Sequence, residues 1–285
     1  MSCCNDCCLV FNSPKWIEDN KADFAPPVCN KCMFSDQLKV FFIGGPNERN
    51  DYHLEEGEEV FFQIEGDMVL KVVENGTHLD IPIKQGEIFL LPGRIEHSPQ
   101  RFADTVGVVI ERTRDSDELD CVRWFVDGTT DVLFERWFHL TDVVADLPPV
   151  IREFKASEEA KTGKPGPKAK LREPLFFPVA QKLMTPVNLG KFIDENLDSI
   201  KKSPLPMLKD VGSQTTITLY GPGEHNLATG QGELIVMPQR GSANLKCAGS
   251  SYALNAFDMA RIRPEKSAVL DVATDGVVIT VKMVR

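Results

Sequence analysis

Short apolar runs broken by turn residues repeat along most of the chain. Leu38 to Ile43 stops at Gly44–Gly45–Pro46, and Glu59 to Ile64 follows the acidic turn Glu55–Glu56–Gly57–Glu58. Gly66–Asp67 leads into Met68 to Val73, and Asn75–Gly76 is a two-residue hairpin signal. Ile81 to Ile83, Ile88 to Leu91 before Pro92–Gly93, Val106 to Ile110 and Val122 to Val126 complete the series. Glycine and proline come too often for long helices, so many short strands with regular turns predict a jelly roll or barrel. From Met207 onward the pattern returns in Thr215 to Tyr220, Gly232 to Met237, Ser251 to Leu254, Met259 to Ile262, Ala268 to Val272 and Val277 to Val281. The spacing resembles the first series and predicts a second barrel.

A few stretches follow a helical period instead. Ser13–Pro14 opens a short helix, with Ser13 as N-cap and Pro14 at the first helical position, ending before Pro26–Pro27. Thr141 to Ser157 is helical with a break expected at Pro148–Pro149. Glu158 to Glu173 is rich in Lys, Pro and Gly and predicts an exposed linker, after which Phe176–Phe177–Pro178 packs against the body. Leu189 to Ile200 forms a helix with Phe192, Ile193 and Leu197 on one face. The expected organisation is all-β with connecting helices: residues 1–160 a first, functional barrel, 161–178 a linker, and 179–285 a second barrel without a metal site.

Composition is that of a soluble globular chain of 285 residues with a formal charge of -10. That charge argues against nucleic acid or an anionic membrane as partner, since both require clustered Lys and Arg. An anionic small molecule would have to meet locally placed arginines. No apolar run reaches transmembrane length and Met1 to Asn12 does not read as a signal peptide, so the expected location is the cytosol. The eight cysteines are Cys3, Cys4, Cys7, Cys8, Cys29, Cys32, Cys121 and Cys247. Cys4-x-x-Cys7 and Cys29-x-x-Cys32 have metal-ligand spacing. They read either as a small zinc or iron–thiolate knot, or as reduced thiols on a frayed tail plus one buried pair.

Candidate chemistry concentrates between Arg49 and Glu111. His53 ends one strand, Glu59 begins the next as its hairpin neighbour, and His97 opens a later one. Two histidines and one carboxylate directed into one barrel interior can hold a metal ion with open positions. Each histidine alone reads equally as a satisfied core residue; with Glu59 and the glycine/proline frames the metal reading prevails. Glu55, Glu56 and Glu58 read as a solvated acidic turn. Arg49 and Arg101 are either pocket residues or surface arginines paired with Glu55 or Glu111. Glu111 faces opposite to Val106, Val108 and Ile110, so its carboxylate needs a function. His225 reads as a loop residue, His78 as exposed, and His139 has no partner in the sequence. The residues by themselves specify a metal site and leave several chemistries open.

His53 with Glu59 to Gly66 resembles the first cupin motif, with Glu55 where a second histidine is usual. Gly86 to His97, with Pro92 between, resembles the second, with Arg94 in place of a usual glycine and Arg101 in place of a polar residue. Phe42–Ile43–Gly44–Gly45–Pro46–Asn47, Asp51–Tyr52–His53, Glu56–Gly57–Glu58–Glu59–Val60–Phe61 and His97–Ser98–Pro99–Gln100–Arg101–Phe102 narrow the likeness to the two-cupin 3-hydroxyanthranilate 3,4-dioxygenases, most densely over Pro26 to Glu111. The resemblance implies a double cupin of jelly-roll barrels and a monomer. It also implies an Fe(II) enzyme that opens 3-hydroxyanthranilate with O2 to 2-amino-3-carboxymuconate semialdehyde, on the kynurenine route to quinolinate and NAD. It further implies that His53, Glu59 and His97 bind the iron, with Glu59 also bordering the substrate. By the same resemblance Arg101 clamps the substrate carboxylate, Glu111 binds the substrate's amino or hydroxyl proton and acts as base, and Arg49 sits over the oxygen position. The rubredoxin-like site of bacterial members needs two C-terminal Cys-x-x-Cys pairs, and only Cys247 stands there. Two alternatives belong to other classes: a non-catalytic cupin binding a small anion, and a zinc isomerase, which would want a fourth protein ligand.

Overall fold

The computed structural model describes residues 7–24, 29–47, 49–208 and 214–284. In chain order the elements of the first half are β1 (Cys8–Phe11), α1 (Ser13–Asp19), β2 (Asn30–Ser35), β3 (Leu38–Gly44), β4 (Tyr52–Leu54), β5 (Glu59–Glu65), β6 (Met68–Glu74), β7 (Thr77–Ile83), β8 (Glu87–Leu91), β9 (His97–Arg101), β10 (Val106–Arg112), β11 (Asp120–Phe125), β12 (Val132–Phe138), α2 (Val143–Ala156), α3 (Glu158–Thr162) and β13 (Val187–Asn188). The second half continues with α4 (Leu189–Lys202), β14 (Leu205–Met207), β15 (Thr215–Tyr220), β16 (Gly223–Ala228), β17 (Leu234–Arg240), β18 (Ser242–Cys247), β19 (Ser250–Asn255), β20 (Met259–Ile262), β21 (Ser267–Val272) and β22 (Val277–Met283). The expected all-β architecture with few helices holds. Two compact units emerge: Ala22–Ser35 with Lys39–Asn188, and Met1–Lys21 with Asp36–Leu38 and Leu189–Arg285.

In the unit built on Lys39–Asn188, two six-stranded sheets run β13-β8-β5-β10-β3-β2 and β12-β11-β4-β9-β6-β7. Strand alternation directs Phe61, Phe89, Leu91 and Val109 of one sheet and Met68, Leu70 and Val72 of the other into a single apolar cluster. The turn Glu55–Glu58 carries the chain from one sheet to the other. His53 and Glu59 are therefore not hairpin neighbours: β4 pairs with β9 and β11, whereas β5 pairs with β8 and β10. The sequence expectation fails because four intervening residues suffice to change sheets as well as to reverse direction within one.

Helix α2 runs straight through Pro148 and Pro149, where a break was expected. Asp142 caps it through a 2.8 Å bond from Val144 N. Its inner face packs Leu147, Val150, Ile151 and Phe154 on Trp124, Leu133 and Phe134, with Trp124 and Phe154 stacked at 4.0 Å. That burial offsets the two backbone donors the prolines lack. Asn12 rather than Ser13 caps α1, its Oδ1 accepting from Lys15 N at 2.9 Å, and the helix ends at Asp19, before Pro26–Pro27 as expected. The expected linker opens with α3, closed by Gly163 in the left-handed region. Beyond it Ala169 is buried and its carbonyl accepts from Glu135 N at 2.9 Å. Phe176 is buried beside Leu54 and Cys121, but Phe177 is 72% exposed.

The other unit has one six-stranded sheet, β1-β20-β17-β22-β15-β14, and one four-stranded sheet, β16-β21-β18-β19. Cys8–Phe11 pairs antiparallel with Met259–Ile262, and Cys7 and Cys8 are buried in the same apolar cluster as Cys247. The frayed-tail reading is corrected for these two thiols; Cys3 and Cys4 lie outside the described residues. His225 sits on a strand rather than a loop and bonds Gly221 O at 2.7 Å. The cysteines take no part in the clusters of potential metal ligands found among the described residues.

Candidate metal centre and substrate pocket

His53 and His97 face each other directly across β4 and β9, with ring centroids 5.3 Å apart. Glu59 opens β5 in the opposite sheet, where its cross-strand partner on β10 is Glu111. The site thus lies between the two sheets. His53, Glu59 and His97 can each direct one donor atom so that all three fall within 4.8 Å of one another.

The hydrogen bonds around the two rings fit metal ligation. A backbone carbonyl only accepts, so the 3.0 Å contact between His97 Nδ1 and Ile95 O puts a proton on Nδ1 and makes Nε2, 2.8 Å from Glu59 Oε1, the nitrogen whose proton a bound ion would replace. Asp120 Oδ2 lies 2.7 Å from His53 Nε2 and fixes that ring in the same manner, leaving Nδ1 as its lone-pair nitrogen. Glu59 Oε1 is buried without a hydrogen bond of good geometry. Burial pushes Glu59 up, but His97, His53 and Arg114 outweigh it and bring the carboxyl down to about 2, so it stands ionised as a ligand must. Burial lowers His97, while the charge of Glu59 raises it and wins. A hard carboxylate with two imidazoles suits a divalent first-row ion and leaves coordination positions unfilled by protein.

A cavity of about 120 Å³ adjoins this triad. Its polar wall includes Arg49, Arg101 and Glu111; Phe61, Val109 and Leu147 form part of its apolar wall. Val109 and Glu111 sit two apart on β10 and share the face expected from the strand's alternation. Arg101 is only 7% exposed, and its side chain has no hydrogen bond or ion pair with any described residue. Burial lowers its pKa, Glu59 pulls it back up and Arg49 lowers it again, to about 10, so it remains a cation. Arg49 is paired with Asp51, Nε to Oδ1 at 2.9 Å and Nη2 to Oδ2 at 2.5 Å, and not with Glu55.

Glu55 departs from the solvated turn expected of it. It is 3% exposed and its Oε1 lies 2.7 Å from Arg114 Nη2, although Glu56 does reach outward to Arg94. Desolvation raises Glu55 well above the usual carboxylate range, against the pull of Arg114. Arg114 and Asp120 do not stand out in the sequence, and Asp51 does so only as part of Asp51–Tyr52–His53, with no role of its own. Glu111-Arg112-Thr113-Arg114-Asp115 reads as a charged strand end, and nothing in its period distinguishes an inward from an outward arginine. His78 is exposed as expected, bonding Thr129 O at 2.7 Å, and His139 finds Glu118 O at 2.9 Å.

Two facing six-stranded sheets with a two-histidine, one-carboxylate cluster beside a cationic pocket fit a cupin with a potential metal site. The likeness in fold extends to the salicylate 1,2-dioxygenase of Pseudaminobacter salicylatoxidans, with a TM-score of 0.59 at 12% identity, covering 97% of this chain and 84% of that one. The sequence profile of 3-hydroxyanthranilic acid dioxygenase matches residues 8–155. Relatives named 3-hydroxyanthranilate 3,4-dioxygenase include one from Caenorhabditis briggsae, 50% identical over 95% of this chain and 96% of its own length. Another from Mus musculus is 45% identical over 93% of each chain, and one from Homo sapiens is 52% identical over 73% of each. This chain belongs to the 3-hydroxyanthranilic acid dioxygenase family.

Proposed function

We propose that the protein is an Fe(II)-dependent dioxygenase that opens the ring of 3-hydroxyanthranilate with O2, giving 2-amino-3-carboxymuconate semialdehyde in the kynurenine route to quinolinate. His53, Glu59 and His97 hold the iron. The observation that carries this reading is Arg101: a buried guanidinium, unpartnered among the described residues, on the wall of the cavity that adjoins the ligand triad. A buried unpaired cation is costly, and a planar carboxylate is the partner its fork suits.

When bound, ferrous iron offers open positions to the neighbouring hydroxyl and amino groups of the substrate and to oxygen, and favours loss of the phenolic proton. The chain's own residues do the remainder. Arg101 anchors the substrate carboxylate and so fixes which ring edge meets the triad. Glu111, raised by burial despite Arg114, receives and holds the proton of the substrate's hydroxyl or amino group. Arg114 occupies Glu111 Oε1, and Oε2 has no hydrogen-bond partner among the described residues. Arg49, held by Asp51, places positive charge at the cavity edge where charge develops during turnover. Phe61, Val109 and Leu147 exclude water from the ring. The zinc-isomerase alternative would draw its fourth ligand from Glu55, which is already engaged by Arg114.

The test is reconstitution with Fe(II) under anaerobic conditions, addition of 3-hydroxyanthranilate and admission of O2, with the semialdehyde followed by absorbance. Ring opening with oxygen uptake is expected; an iron-loaded protein that consumes no oxygen would sink the reading. A cytosolic monomer belongs to the same reading, and a dimer mass by light scattering at low concentration would remove the monomer.

A further inference from the structure

Arg114 neither lines the cavity nor belongs to the ligand triad, yet it is heavily engaged beneath both. Its side chain is 3% exposed and meets carboxylates from three segments of the chain. Nη1 bonds Glu111 Oε1 on β10; Nη2 lies 2.7 Å from Glu55 Oε1 in the turn between the sheets; and Nη2 bonds Asp120 Oδ2 on β11 at 2.9 Å, with Nε 3.2 Å from both Asp120 oxygens. Each of these acids reaches the site in a different way. Asp120 Oδ2 is the atom that holds His53 Nε2, Glu111 lines the cavity, and Glu55 Oε1 lies 3.8 Å from His53 Nδ1.

We propose that Arg114 is a positioning residue for both halves of the site, setting the ring orientation and tautomer of His53 through Asp120 and aiming Glu111 into the cavity through its Oε1. This role rests on the metal and substrate roles of the proposed function. Its physical basis is that Glu55, Glu59, Glu111 and Asp120 are all buried, and all but Glu59 meet one guanidinium. A planar fork can hold Glu111 and Asp120 in fixed directions at once while its charge lies beside Glu55, whose Oε1 is close but accepts no hydrogen bond of good geometry; an ammonium of similar charge cannot. Without the fork the acids repel, Asp120 loses its fixed position behind His53, and Glu111 is released. Carboxylates that orient a ligating imidazole typically change metal affinity about 10- to 100-fold when altered.

The experiment uses Co(II) as probe. Wild type, Arg114→Lys, Asp120→Asn and the double variant are titrated anaerobically, with Kd and the visible d–d bands recorded alongside the melting temperature of the metal-free proteins. Asp120→Asn, which keeps shape, is expected to raise the Co(II) Kd about 10- to 100-fold and shift the bands. Arg114→Lys is expected to raise Kd as well. The double variant should cost less than the product of the single effects, because Arg114 reaches His53 through Asp120. At saturating Fe(II), Arg114→Lys should lower kcat more than Asp120→Asn does, since only Arg114 also holds Glu111, the group that takes the substrate proton. If Arg114→Lys does not fold, Arg114→Met with Asp120→Asn removes the cation and one of its acids together, and should match the Kd of Asp120→Asn alone. Folded variants with wild-type Kd and bands, or with lowered melting temperature as the only change, would overturn the inference and reduce Arg114 to a structural ion cluster. Fully multiplicative effects would overturn it too. A wild type that binds no Co(II) would sink the metal reading and this inference with it, whereas one ion bound with unchanged variants would sink this inference alone.

Discussion

Within the pocket, charge and hydrogen-bonding capacity separate residues that sequence type alone groups together. Arg49 and Arg101 both line the cavity, but Arg49 is held in an ion pair with Asp51, whereas Arg101 has no such partner among the described residues. Arg101→Gln should therefore act mainly on substrate binding, raising KM and lowering kcat/KM on the order of 10- to 150-fold, the worth of a charge-assisted hydrogen bond. Steady-state kinetics with iron content measured in parallel would check this; an unchanged KM would count against the carboxylate role. Glu111→Gln should keep full metal content and lose turnover, because a neutral amide preserves shape but holds no proton. The triad, both arginines and Glu111 were legible in the sequence from residue type, frame and resemblance. Asp120 and Arg114 were not, because the contacts that matter to them run to residues distant in sequence: Asp120 to His53 on the paired strand β4, and Arg114 to Glu55 in the turn.

Single positions in the turns and helices decide whether these side chains meet. A Cβ added at Gly93 would collide with the carbonyl oxygen of Glu56, in the turn that carries the chain between the sheets. Gly93→Ala should therefore force His97 and Glu59 apart, and is expected to lower both melting temperature and bound iron; a variant with normal iron content would refute the coupling. Helix α2 lends Leu147, 4% exposed, to both the apolar cluster under Trp124 and the cavity wall. Leu147→Ala should cost about 2–5 kcal/mol of stability, read from denaturant unfolding, and admit water to the pocket. The strands at these positions followed from alternation and turn residues. The unbroken helix through Pro148–Pro149 did not, since local propensity forbids it and only burial against β11 and β12 sustains it.

Across the whole chain, buried thiols give stability a dependence on alkaline pH. Burial pushes Cys121 up to about 12, against Arg123, and Cys8 to about 12 with Cys247 adding. In the unfolded chain such thiols ionise near pH ~8.5. The folded-state pKa values are raised, so their contribution is complete below about pH 8.5 and is lost as pH rises towards 12, because the unfolded state sheds its protons first. Melting temperatures measured between about pH 7.5 and 10.5 should fall, and Cys121→Ala should flatten that fall while costing some stability at neutral pH. An identical slope in the variant would exclude Cys121 as a source. Metal acts in the opposite sense: Fe(II) at about 100 times its Kd should stabilise the unit that binds it by about 2.7 kcal/mol, seen as a rise in melting temperature under anaerobic conditions.

The sequence alone determined the all-β architecture, because strand alternation and turn chemistry are local and period two leaves few alternatives. It also determined the candidate ligands, because two histidines and a carboxylate in glycine/proline frames are rare together. Only the tertiary structure decided that His53 and His97 come from one sheet and Glu59 from the other, since a four-residue acidic turn is compatible with either a hairpin or a crossing. Only it decided that Glu55 is buried and that Cys7 and Cys8 are core. Burial of a charge depends on a partner brought from elsewhere in the chain, and Arg114, distant in sequence from Glu55 but 2.7 Å from it in space, is that partner.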